Sequence, residues 1–109
     1  MARDEGLEEL MREYLGADHD LTERPMFGGR AWLLDGHLLC GARDDGALFR
    51  LGNGNDQWAL DIDGVVPMVS RGRAMKGWVR VASDALGDEN LARKLIDAAF
   101  AFVRSLPPK

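Results

Sequence analysis

A thiol near an imidazole is the pairing in this chain best suited to covalent chemistry, and His37 and Cys40 offer it. A base within hydrogen-bond reach makes a cysteine nucleophilic. Three residues apart on a regular strand, however, two side chains leave opposite faces, and Cys40, with Leu38 and Ala42 two positions to either side, reads as a small core residue. Metal chemistry is no better served. His19, His37 and Cys40 fall short of a four-ligand zinc set unless carboxylates are recruited, and no metal-ligand spacing occurs. Gly28-Gly29 and Gly52-Asn53-Gly54-Asn55 lack the spacing of phosphate-cradling loops and read as hairpin, bulge or close packing. The carboxylate pair Asp61 and Asp63 sits beside a predicted helix end and Gly64, where turn formation explains both. Met26, Met68 and Met75 suit either an adaptable peptide groove or gaps in a core. The reading is of a protein with no catalytic residue, no metal and no cofactor.

Recognition chemistry is better represented. Alternation along the strands sets Arg30 and Trp32 on one side of their strand, Arg50 on one side of a second, and Trp78 and Arg80 on one side of a third. If the registers bring these sets together, one sheet face collects Arg30, Arg50, Arg80, Trp32 and Trp78, the residue types that most often dominate binding hot spots. The alternative is an Arg–Trp lattice that merely covers the sheet. Charge is segregated as well. Residues 1–23 hold eight acids against Arg3 and Arg12, whereas residues 65–80 hold Arg71, Arg73, Lys76 and Arg80 with no acid. That basic segment reads as a solvated loop or as a patch for a phosphate, an acidic peptide or the acidic helix of a second copy. The candidate partner-binding residues are therefore Arg30, Trp32, Arg50, Arg71, Arg73, Lys76, Trp78 and Arg80. The expected partner is a second copy of the chain or another protein; nucleic acid is the alternative, and it works against the net charge of −4.

The elements that must position these residues follow from periodicity. Leu7, Leu10, Met11, Tyr14 and Leu15 form one stripe of a helix from Glu5 to Leu15, with Asp4 to cap it and Gly16 to end it. Residues 17–25 read as a connection. Strands are predicted over Phe27–Leu34, His37–Arg43 and Ala47–Leu51, joined by Asp35-Gly36 and Asp44-Asp45-Gly46. A short helix over Asp56–Asp61 follows, then strands Val65–Ser70 and Gly77–Ala82 around the basic loop, with Pro67 marking an edge strand. Leu91, Leu95, Ala98, Phe102 and Leu106 mark a long final helix stopped by Pro107 and Pro108. This order, α-β-β-β-α-β-β-α, predicts a two-layer α+β domain with an antiparallel sheet of about five strands packed on helices. At 109 residues it is read as one domain, 1–109, with residues 1–22 as helix and connection. A single cysteine, a polar acidic start and no long apolar run point to the cytoplasm.

Taken together, Arg24-Pro25-Met26-Phe27-Gly28-Gly29, the Asp35-Gly36 turn, Leu48-Phe49-Arg50 and above all Gly72-Arg73-Ala74-Met75-Lys76-Gly77-Trp78-Val79 resemble the TfoX/Sxy N-terminal domain family, across about residues 23–109. The motif positions are Met26, Phe27, Gly28, Gly29, Gly72, Arg73, Met75, Gly77 and Trp78. The resemblance implies a secretion-chaperone-like α+β fold and a non-catalytic role. Full-length members regulate natural competence genes together with the cyclic-AMP receptor protein; a 109-residue chain has room for their N-terminal domain alone, as in short stand-alone members.

Overall fold

A computed structural model of the chain describes residues 4–16, 21–26 and 28–107. Helix α1, Glu5–Leu15, begins where the Asp4 side chain accepts a hydrogen bond from the Leu7 N–H at 2.9 Å, and it ends at Gly16 with φ at 68°. Its stripe buries Leu7, Met11 and Leu15. Strand β1 is Leu21–Met26, all but its last residue in the stretch 17–25 expected to be a connection. Among the described residues the sheet thus has six strands where about five were expected. β1 lies at an edge, and of its residues only Leu21 is even half-buried, so apolar alternation had nothing to report there.

β2, Gly29–Leu34, and β3, His37–Arg43, form a hairpin across Asp35-Gly36, where both residues take positive φ, 53° and 82°. That is the backbone a tight two-residue hairpin turn requires. β4, Gly46–Arg50, leads to the single-turn helix α2, Gln57–Leu60. β5, Val65–Ser70, turns directly into β6, Arg73–Val81. The expected loop 71–76 is therefore mostly strand: only Arg71 and Gly72 turn, with φ 53° and 77°, and Arg73 is already paired with Ser70. A short 3-10 turn, Ala85–Gly87, precedes α3, Glu89–Arg104, whose Asp88 cap accepts from the N–H groups of Asn90 and Leu91.

All pairings are antiparallel, in the order β1-β2-β3-β4-β6-β5. One core joins α1, α2, the 3-10 turn and α3 to a single sheet face, with Met11, Phe49, Leu86 and Leu95 fully buried. The two edges carry Pro25 and Pro67. For Pro67 the phase can be worked out. Ala82 N–H donates to the Gly64 carbonyl, so Val65 and Val81, and two residues further Pro67 and Val79, are pairs whose backbone groups point away from the partner strand. The missing N–H of Pro67 faces the open edge and breaks no ladder bond.

Candidate interaction surface

Register decides which side chains share a face. Directly opposed residues in an antiparallel sheet project the same way, and one row runs Trp32, Cys40, Phe49, Val79 across β2, β3, β4 and β6. That row faces the helices. Trp32 is 3% exposed and part of the core. Arg30, two residues earlier, emerges at the rim of the same face, with its Nε buried, unbonded among the described residues, and 3.6 Å from Glu23. The face expected to collect Arg30 and Trp32 with Arg50, Trp78 and Arg80 is therefore split: Arg30 and Trp32 lie on the helix side, and the other three share the opposite side. Both sides of β2 offer apolar residues, Ala31 and Leu33 against Trp32 and Leu34, and pairing set the larger pair inward.

Arg30 belongs instead to a charge network that closes the space between α1 and β1. Arg12 donates to both oxygens of Glu23, at 2.9 and 2.8 Å, and to Glu9 at 2.9 Å; Glu8, buried on the same helix, lies 3.9 Å away. The Arg12 hydrogen bond holds the Glu23 carboxyl below its ordinary value against the cost of burial, and raises the already high value of Arg12.

Among the described residues no helix packs its buried side on the opposite face, although Phe102 of α3 reaches its rim. That face carries Leu48 and Arg50 from β4, Trp78 and Arg80 from β6, and Arg43 from β3, since Leu48 faces Arg80 and Arg50 faces Trp78. The Arg50 guanidinium lies 6.0 Å from the Trp78 ring centre and 5.4 Å from that of Phe102 at the end of α3, contacts that favour a cation by about 0.5–2 kcal/mol. Arg43 and Arg80 converge on Asp45, at 2.6 and 3.0 Å. Burial pushes Asp45 upward, but the hydrogen bonds from Arg43 and Arg80 together bring its carboxyl below its ordinary value. These three arginines are thus engaged within the chain.

The β5–β6 hairpin differs. Arg71, Arg73 and Lys76 are exposed, and none makes an ion pair among the described residues. Beside them Val69, opposite Ala74, is 57% exposed and Met75 is half-buried; Val66, 39% exposed, lies at the far end of the hairpin opposite Arg80. Arg71 takes the left-handed φ that glycine or asparagine ordinarily supplies at such a turn. The motif glycines shape the strands behind these side chains. A Cβ on Gly77 would lie 2.5 Å from the Asn53 nitrogen, and one on Gly29 would meet the Ala42 carbonyl oxygen. Gly77 is therefore a point of close approach inside β6 and does not bound a loop; its carbonyl accepts from both Leu51 and Gly52. Of the remaining motif residues, Gly28 turns at φ 77° and Met26 pairs with Gly29 at 37% exposure, while Phe27 lies outside the described residues.

Sequence reasoning passed over Trp58. With 38% exposure, it borders a groove of about 570 Å³ between α2 and the last turns of α3, floored by Leu51 and walled by Ala98 and Phe102. The available signal was that a one-turn helix buries one side only, here Ala59.

The candidates for chemistry are dispersed. A bulge at Leu38–Cys40 breaks the regular alternation, so His37, opposite Leu34, and Cys40, opposite Trp32, leave the same face and not opposite ones. They still do not meet. The His37 ring engages the Pro107 carbonyl at 2.6 Å, and Cys40 is 1% exposed, its thiol pushed well up by burial. Met68 is buried and Met75 half-buried on the paired strands β5 and β6, and Met26 is exposed on β1 at the other edge of the sheet. His19 lies outside the described residues, among which no group of three or more His, Cys, Asp or Glu could hold a metal ion. No helix among them is long and apolar enough to cross a membrane.

A sheet covered by helices on one face, with a cationic hairpin at one edge, defines a small α+β domain whose distinctive surface chemistry is charge. A family model, the TfoX N-terminal domain, matches residues 13–103, and the chain belongs to that family. No curated protein and no solved structure matches it.

Proposed function

We propose that the chain is a non-enzymatic interaction module of regulatory type, operating in the cytoplasm as a single domain, with the β5–β6 hairpin and the adjoining open face as its contact surface. The observation that carries this reading is the hairpin itself: Arg71, Arg73 and Lys76 stand exposed and unpaired among the described residues, next to exposed Val69. Elsewhere on the open face the arginines answer an internal partner, Asp45 or an aromatic ring. Cations left unpaired beside apolar side chains fit an acidic protein surface with an apolar centre. Trp78, Arg50 and Arg80 form the floor next to that contact; Arg30 and Trp32 serve the fold on the other side.

The test is crosslinking of the full chain to its partners in native cells, with the linked positions mapped. Crosslinks should fall within residues 66–80 and disappear in Arg71→Ala/Arg73→Ala/Lys76→Ala while the fold is retained. Partners captured equally by that variant would sink the reading. A salt-dependent affinity for duplex DNA that is lost in the same variant would reassign the contact to nucleic acid.

A further inference from the structure

Resting on that reading of the hairpin, we infer that its occupant is helix α1 of a second copy of this chain, the two copies related by a two-fold axis so that each hairpin lies on the other's α1. Charge complementarity carries the argument. Glu5, Glu9 and Glu13 follow one another at four-residue intervals and are all exposed, which places three carboxylates along one stripe of α1. Arg12 answers Glu9, while Glu5 and Glu13 have no ion pair among the described residues. The hairpin presents Arg71, Arg73 and Lys76 against them. Within one copy these two surfaces cannot meet. α1 packs over β3 and is tied to β1 through Arg12 and Glu23, whereas β5 and β6 form the other side of the sheet, in a body about 30 Å across. In a second copy turned about a two-fold axis, both contacts form at once and the assembly closes.

Two further features favour this arrangement. Each edge strand carries a proline, Pro25 or Pro67, which disfavours joining copies by strand addition and leaves side-chain contact as the route. Gly6 occupies an exposed position in the first turn of α1, where a Cβ would meet nothing closer than Asp4 Oδ1 at 3.6 Å. Among the described residues nothing calls for a glycine there, and helix propensity opposes it. A bare backbone beside Glu5 and Glu9 admits the close approach of a hairpin tip bearing Val69.

The test is solution mass by light scattering together with a charge swap. The wild-type chain should show twice its 12.0 kDa at low salt, with the dissociation constant rising at least about tenfold when salt exceeds the screening range. Arg71→Glu/Arg73→Glu/Lys76→Glu and Glu5→Lys/Glu9→Lys/Glu13→Lys should each be folded monomers. Mixed, they should restore the double mass, because one of the two contacts then joins native partners and the other joins swapped ones. Gly6→Gln should weaken association at least about tenfold while leaving the far-ultraviolet helix signal unchanged or stronger. A monomer at low salt, or a dimer indifferent to both swaps, overturns this inference. The broader reading survives either outcome if hairpin crosslinks to another protein persist, and fails separately if they do not.

Discussion

Gly77 supplies the sharpest test of how the hairpin is held. Replacing it with alanine adds one methyl group at φ 84°, where an L-residue costs about 1–2 kcal/mol. The added Cβ would also stand 2.5 Å from the Asn53 nitrogen and 2.6 Å from the Gly52 carbonyl carbon, both backbone atoms that cannot rotate aside. Relief requires moving the chain as it leaves β4, which strains the bonds from Leu51 and Gly52 to the Gly77 carbonyl; overpacking of this kind costs about 1–3 kcal/mol. The expected loss is about 2–5 kcal/mol from a total of roughly 5–15 kcal/mol. At about 4 °C per kcal/mol for a domain near this size, Tm should fall by roughly 8–20 °C. Gly54→Ala is the control. Its φ is 88° but a Cβ there meets nothing within 4 Å, so it should lose only the conformational part, about 1–2 kcal/mol. Urea unfolding of the two variants, followed by tryptophan fluorescence, reads the difference. Gly77→Ala no less stable than Gly54→Ala would refute the close-approach argument.

The three tryptophans should separate by environment: Trp32→Ala should cost about 3–5 kcal/mol and Trp58→Ala about 1 kcal/mol or less, with Trp78→Ala between them, as measured by urea midpoints. Glu23 and Asp45 both have folded-state values lowered below those of the unfolded chain, so the stability they contribute is present above the ordinary carboxylate range and lost as pH falls through it. The stability of the wild-type chain should therefore drop between about pH 5 and pH 2, and Glu23→Gln/Asp45→Asn should flatten that slope in a titration of unfolding free energy. Cys40 should resist a thiol reagent in the folded protein and be labelled only as fast as the chain opens; rapid native labelling would show that the thiol is accessible after all.

Much of the fold was legible because local chemistry and tertiary structure agree. α1 and α3 follow from apolar stripes, and α1 also from Asp4, whose side chain does cap it. Asp35-Gly36 turns as its composition demands. β1 was illegible for a physical reason: an edge strand with charges and a proline is held by backbone pairing and by the Arg12–Glu23 bridge, and neither leaves a hydrophobic period. The basic segment was legible as chemistry but not as structure, since Arg71 occupies a left-handed position for which its residue type gives no hint.

The face of Trp32 was illegible for a different reason, and it bears directly on function. A shift of one residue in register exchanges the two sides of a strand, so the placement of an indole is decided by pairing across the sheet and not by its neighbours in sequence. Here the pairing is constrained by backbone contacts at glycines: Gly29 fits against the Ala42 carbonyl of β3, and Gly77 lets β6 close on the exit from β4. Side chains at these positions would force neighbouring backbone to shift. The motif glycines therefore act through the register they permit, which sends Trp32 into the core, leaves Trp78 against Arg50, and carries the β5–β6 pair past the end of β4, where Arg71, Arg73 and Lys76 make no ion pair among the described residues. It follows that a loss of partner binding in a glycine variant would report a displaced hairpin, whereas the same loss in the cation variants, with the fold intact, would report the contact itself.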